Sequence, residues 1–196
     1  MNNAPSARHA TLGRAIFVAA TIAGMTSGCV ATVNPELMVP TFSAQAVARS
    51  DKTVAVEKVT GGSEGGTFTM EMMDQVTIGN EQFQAALIQA LESSGLFRSV
   101  VTTEAGDYQF EARIVSMQPQ RAGFLTVTSS LVVNYRLRET GSGRDVWHEA
   151  IISQETAEGA PFTEGVPGAI KKSLAGAARQ NLAEMIEKLS RNVQIQ

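Results

Sequence analysis

Thiols and imidazoles are nearly absent from this 196-residue chain, which has one cysteine, Cys29, and two histidines, His9 and His148. A single thiol cannot close an intrachain disulfide, so a hydrophobic core has to hold the fold together even in an oxidising compartment. With so few soft or imidazole ligands and only scattered carboxylates, no recognisable zinc site can be assembled. Nucleophilic catalysis needs a nucleophile beside a base, and no such pairing shows in the sequence. Charge of one sign is also missing: 16 basic residues stand against 19 acidic ones, a net charge of −3. That balance leaves no basic footprint for nucleic acid and no polybasic patch for anionic lipid headgroups. Long apolar runs are absent as well. Ala15 to Met25, AIFVAATIAGM, is too short to cross a bilayer as a stable helix.

What is present begins at the N-terminus. Arg8 and Arg14 form a basic start, the apolar run follows, and Thr26-Ser27-Gly28 leads directly into Cys29. The arrangement resembles the lipobox of bacterial lipoproteins, with Thr26 where that family usually has Leu. The resemblance implies cleavage before Cys29 and a diacylglycerol on its sulfur. Val30 follows the cysteine, and by the same resemblance the absence of Asp there points to the outer membrane, with the domain on its periplasmic face. An ordinary secretory signal cut after Ala31 is the alternative. Removing residues 1–28, which carry two arginines and no acid, leaves 168 residues at a net charge of −5. That length suits one domain. The expected organisation is a signal peptide over 1–28, a lipid-anchored flexible tether over 29–50, and one α+β domain over 51–192.

Within that domain, TVAVEKV (Thr53–Val59) reads as a first strand, and a glycine- and methionine-rich loop runs from Gly61 to Gly79. Phe83, Leu87 and Leu91 recur every four residues, which predicts a helix over Glu81–Ser94, capped by Asn80 and stopped by Gly95. Tyr108, Phe110, Ala112 and Ile114 alternate with polar residues. Leu125, Val127, Leu131, Val133, Tyr135 and Leu137 do the same, so two strands follow. Thr140–Asp145 holds two glycines and predicts a hairpin that sets Leu137 opposite Trp147 and His148 opposite Arg136. On that register Glu149 points inward, which calls for a bulge or an edge position. Thr163 and Pro167 open a last helix whose stripe is Val166, Ile170, Leu174, Ala178, Leu182, Met185, Ile186 and Leu189. The order β-α-β-β-β-α predicts an α+β two-layer sandwich: a four-stranded, mostly antiparallel sheet with two helices on one face.

The anchor, ALIQALESSGLF, YQFEARI, VNYRLRETGSGRDVW and AARQNLAEMIEKL together form a familiar succession of elements. It is similar to that of small bacterial envelope lipoproteins of the accessory kind. These include the lipopolysaccharide-assembly lipoprotein, the auxiliary lipoproteins of ABC-type lipid transport and a set of uncharacterised lipoproteins. The resemblance covers roughly residues 50 to 190, implies a noncatalytic partner protein, and carries over no functional residue.

His148 reads as a solvated strand residue rather than a catalyst. Met70, Met72 and Met73 could offer thioethers to Cu(I), but more often such residues cover apolar surface. Gly61-Gly62 and Gly65-Gly66 lack the Lys-Ser/Thr ending of a phosphate loop. Glu139, Asp145 and Glu149 gather about the hairpin, where an exposed turn solvates them. No cofactor or metal is expected. The sharper feature is the outer sheet face, where Val115, Val132, Val146 and Ile152 stand among Arg113, Arg136, Arg138 and His148. Exposed apolar groups beside arginine suit a protein partner. The leading expectation is therefore an accessory lipoprotein that binds another envelope component through Val115, Val132, Arg136, Arg138, His148 and Ile152. The alternative is a carrier of lipid or lipopolysaccharide, for which a pocket lined by Met70, Met72, Met73 and Phe97 would speak.

Overall fold

Alternating strands and two apolar helical stripes require a sheet with one covered face, and a computed structural model shows that arrangement. It describes residues 31–42, 50–62, 76–102 and 106–192. The strands are β1 (Ala31–Thr32), β2 (Thr53–Val56), β3 (Val76–Thr77), β4 (Ser99–Val101), β5 (Tyr108–Arg121), β6 (Thr126–Glu139) and β7 (Asp145–Glu158). The helices are α1 (Asn80–Ser94) and α2 (Gly165–Asn192). The main sheet has five strands in the order β4-β2-β5-β6-β7 rather than the four expected, and β1 and β3 pair as a small parallel sheet of their own. The extra strand, β4, is only three residues long, too short to show a period in sequence.

β2 lies parallel to both β4 and β5, whereas β5, β6 and β7 form an antiparallel meander. Because β2 and β4 are parallel neighbours, the chain returns between them through α1, as a crossover demands. The first strand is shorter than the sequence suggests. It ends at Val56, after which Thr60 makes an isolated bridge to Arg113.

The inner face is closed by side chains from both layers. Phe110, Leu131, Val133, Tyr135, Leu137 and Ile151 from the sheet meet Phe83, Leu87 and Leu91 of α1 and Ile170, Leu174, Leu182, Met185 and Leu189 of α2, all of them buried. Phe110, Tyr135 and Trp147 form an aromatic cluster with ring centroids 5.9 to 6.4 Å apart. α2 crosses the cluster with its whole apolar stripe buried except Val166, which is half-buried at the first turn. Pro167 is its third residue, where the ring sacrifices no helical hydrogen bond.

Two local expectations change. Asn80 does not cap α1: it is the first helical residue, Gly79 is the cap, and the Asn80 carboxamide oxygen accepts from Gly62 N at 2.7 Å. Thr163 stands two residues before α2 starts; Glu164 beside it accepts from Ala160 N and from Lys172, which holds its carboxyl below the usual range.

The larger correction concerns the segment expected as a tether. Part of it, residues 31–42, packs onto the domain. β1 pairs with β3, Val33 N donates to Thr77 O, and Val33 and Met38 are wholly buried. The guanidinium of Arg179 on α2 then donates twice to Leu37 O, at 3.1 and 2.9 Å. Short polar and proline-punctuated runs look unstructured in sequence because the groups that cover them lie far away along the chain. Residues 43–49 lie outside the described residues.

Candidate functional site: the outer face of the sheet

Both helices occupy the inner face, so the side chains of β5, β6 and β7 that alternate outward are left to solvent. The hairpin register is the expected one, with Leu137 opposite Trp147 and Arg136 opposite His148. A bulge does occur in β7, at Val146 between the pairs Leu137–Trp147 and Arg138–Asp145, and not at Glu149. Glu149 is tolerated for another reason. β7 is the edge strand, and Lys188 of α2 reaches over to pair with it. Hydrogen bonds to Glu149 and Glu184 raise the Lys188 pKa above its ordinary value.

The outer face divides into three zones. Nearest the Thr140–Arg144 turn is a charge network. Arg136 pairs with Glu111 and Asp145, each at 3.6 Å, and Arg138 pairs with the same two carboxylates at 3.3 and 3.4 Å. Two cations and two anions cancel, so these arginines are half-buried and already engaged. His148 is exposed beside them. It borders a shallow groove of about 350 Å³ that Glu57, Lys58, Glu111, Arg113 and Arg136 also line.

In the middle is an apolar row. Val132 pairs with Ile152 on one side and with Ser116 on the other, and Val115 is the extra residue of a bulge at that point. Val115 is 54% exposed and Ile152 69% exposed, while Val132 between them is half-buried. Farther along come Ser130, Thr128, Thr156 and Gln154, with the Thr128 and Thr156 hydroxyls 2.8 Å apart. The row is therefore bounded by ion pairs on one side and hydroxyls on the other.

All six residues expected at a partner surface thus lie on one face. Val115, Val132 and Ile152 are contiguous; Arg136, Arg138 and His148 form a neighbouring zone whose arginines face carboxylates of the same sheet. The three hairpin carboxylates do not share a site. Asp145 joins the arginines, Glu139 pairs with Arg144 at 3.9 Å, and Glu149 points inward to Lys188. Among the described residues, no group of three metal-ligating side chains converges, and no helix is long and apolar enough to cross a membrane. Gly61 and Gly62 pack tightly against Ile114 and Asn80. Cys29, Gly65, Gly66, Met70, Met72 and Met73 lie outside the described residues. Phe97 is buried against Tyr108, with ring centroids 6.3 Å apart.

The fold is shared with bacterial proteins of known structure. A Xanthomonas campestris protein of the DUF330 family gives a TM-score of 0.55 at 14% identity, covering 81% of this chain and 91% of that one. Protein CT253 from Chlamydia trachomatis also gives 0.55, at 11% identity over 75% of this chain and 100% of the other. A minor lipoprotein from Acinetobacter baumannii is more distant, at 0.43 and 11% identity over 74% and 94%. At such identities the first two speak for the fold alone. No family model matches the sequence, and no curated protein matches it either.

Sequence reasoning missed two sets of residues. Glu111 and Asp145 neutralise the arginines, which only the pairing of β5, β6 and β7 reveals. Phe124 and Phe162, in the loops at the far end of the meander, are 87% and 106% exposed. Their signal was present: each is a large apolar residue beside Gly or Pro, outside any periodic run.

Proposed function

We propose that this protein is a noncatalytic accessory lipoprotein of the bacterial cell envelope, held by lipid at Cys29 and binding another envelope component through the outer face of its sheet. The observation that supports this best is the row Val115–Val132–Ile152. It is the apolar part of a face that both helices leave open, framed by groups that have satisfied their own charges and hydroxyls. An apolar centre with a polar rim is the composition of a protein interface. The lipid sets the domain at the membrane and raises its effective concentration near other membrane-bound proteins, so modest contacts suffice. The lipobox resemblance, with Val30 rather than Asp after Cys29, supports residence at the periplasmic face of the outer membrane.

The test has two parts. Mass spectrometry of the mature N-terminus should find an acylated Cys29, and Cys29→Ser should release the protein from the membrane fraction. A photo-crosslinking side chain at Ile152 should then give an adduct of one discrete mass in cells, whereas the same group at Lys171, on the exposed side of α2, should not. Equal adducts at both positions would remove the sheet face from the proposal. A carrier role has less support: Phe97, one of the residues expected to line its pocket, is buried in the core, and Met70, Met72 and Met73 lie outside the described residues.

A further inference from the structure

We infer that the groove beside His148 is a carboxylate subsite, in which Arg113 and Lys58 receive an acidic side chain from an extended segment of a protein partner. The inference rests on the outer sheet face being the docking surface proposed above, and adds the chemistry of what docks there.

The first observation is an imbalance among the arginines. β5 and β6 carry three of them on the outer face, Arg113, Arg136 and Arg138, beside the carboxylates of Glu111 and Asp145. All four oxygens of those carboxylates are taken. Arg136 holds Glu111 Oε2 and Asp145 Oδ2, and Arg138 holds Glu111 Oε1 and Asp145 Oδ1. Glu57, which also borders the groove, has a contact of its own. Among the described residues no carboxylate pairs with Arg113 or with Lys58, and both side chains are exposed on the groove wall.

The second observation is where Arg113 stands. It lies opposite Asn134, and the next outward position along β6 is Val132 of the apolar row. Asn134 in turn faces Ala150 on β7, and Val132 faces Ile152. Side chains on one face of a strand repeat about every 7 Å. An extended partner segment repeats at the same interval. With an acidic and an apolar residue two positions apart, it can set the acid in the groove and the apolar group on Val132 and Ile152.

The amount of charge selects a carboxylate. Lys58, Arg113 and Arg136 line the groove against Glu57 and Glu111, which leaves one positive charge in excess. A carboxylate cancels that excess, and the guanidinium fork of Arg113 matches its two oxygens. A phosphate dianion would overfill the site and face Glu57 and Glu111. The groove is shallow and open to water, so the pair sets specificity and the rate of encounter more than affinity.

Two readouts separate the subsite from the docking face. The mature chain carrying Cys29→Ser, made without lipid, is titrated with the acetylated and amidated peptide Leu-Thr-Glu-Thr-Leu. NMR follows the Arg113 Nε–H and the His148 ring. The expected result is saturable shifts at both, with affinity lowered about fivefold by Arg113→Gln, as read at His148, and unchanged by Arg121→Gln at the far end of β5. Equal shifts from the same peptide with Gln in place of Glu, or tighter binding of inorganic phosphate than of the peptide, overturn the subsite. In cells, the photo-crosslinked adduct at Ile152 should fall several-fold with Arg113→Glu. An adduct that survives this change overturns the subsite and leaves the docking face standing, whereas a parent protein that gives no adduct at Ile152 overturns the docking face itself.

Discussion

The Tyr135 hydroxyl donates to the Asn181 Oδ1 at 2.7 Å across the interface between β6 and α2, and both residues are wholly buried. The same carboxamide donates from Nδ2 to Ile151 O at 3.0 Å and to Ser153 Oγ at 3.1 Å. Farther toward the start of α2, the Ser129 and Ser173 hydroxyls meet at 2.6 Å, also buried. An apolar stripe can slide along an apolar sheet at little cost, whereas a satisfied polar ladder has one alignment. These contacts fix where α2 lies along the meander.

Tyr135→Phe removes the donor and leaves the Asn181 oxygen buried without it. The expected loss is about 1–3 kcal/mol in urea unfolding. Replacing both partners with apolar groups of similar shape should recover part of that loss. A single substitution that costs nothing would show that water reaches the site.

Burial raises the Tyr135 pKa well above its ordinary value. The sign follows from linkage: the folded state keeps the phenolic proton after the unfolded chain has released it. The contribution is therefore intact below pH 10 and is lost as pH rises, at about 1.4 kcal/mol per pH unit above the unfolded pKa. Alkaline titration should show Tyr135 ionising only as the protein unfolds, and Tyr135→Phe should flatten this part of the stability curve.

If residues 31–42 belong to the domain, a chain starting at Ser50 should be less stable than one starting at Val30. Met38→Ala alone should cost about 2–5 kcal/mol, the range for a buried methionine losing its side chain. Thermal unfolding of the two truncations decides it; equal midpoints would mean that the segment only decorates the surface.

Ile152→Asp places a charge at a side chain already 69% exposed, so stability should change by about 0.5 kcal/mol or less. Partner capture through the sheet face should nevertheless fall sharply. Circular dichroism and crosslinking on the same preparation separate these outcomes.

Phe162→Gly should relieve the left-handed backbone at φ 67°. Part of that gain is offset by the added freedom of the unfolded chain, leaving a net stabilisation of about 1 kcal/mol or less. Thermal unfolding of Phe162→Gly beside the parent protein checks this; a lowered midpoint would show that the side chain stabilises the turn.

How much could be read beforehand depended on the range of the interaction. The α2 stripe, the alternation along β5 and β6, and the Leu137–Trp147 register were legible because period and turn length report burial locally. The six outer-face residues were located by the same alternation. What they touch was not legible: Arg136 and Arg138 look free until β5 and β7 bring Glu111 and Asp145 beside them.

The sequence by itself determined an α+β chain with two amphipathic helices, a long meander, and an N-terminal segment resembling a lipid anchor, since periodicity and composition need no knowledge of distant neighbours. Tertiary structure alone decided that Ser99–Val101 adds a fifth strand, that Val33 and Met38 bring the chain onto the core close after Cys29, and that Phe124 and Phe162 share one end. Each of those depends on groups far apart in the chain, and only the closed fold sets them side by side.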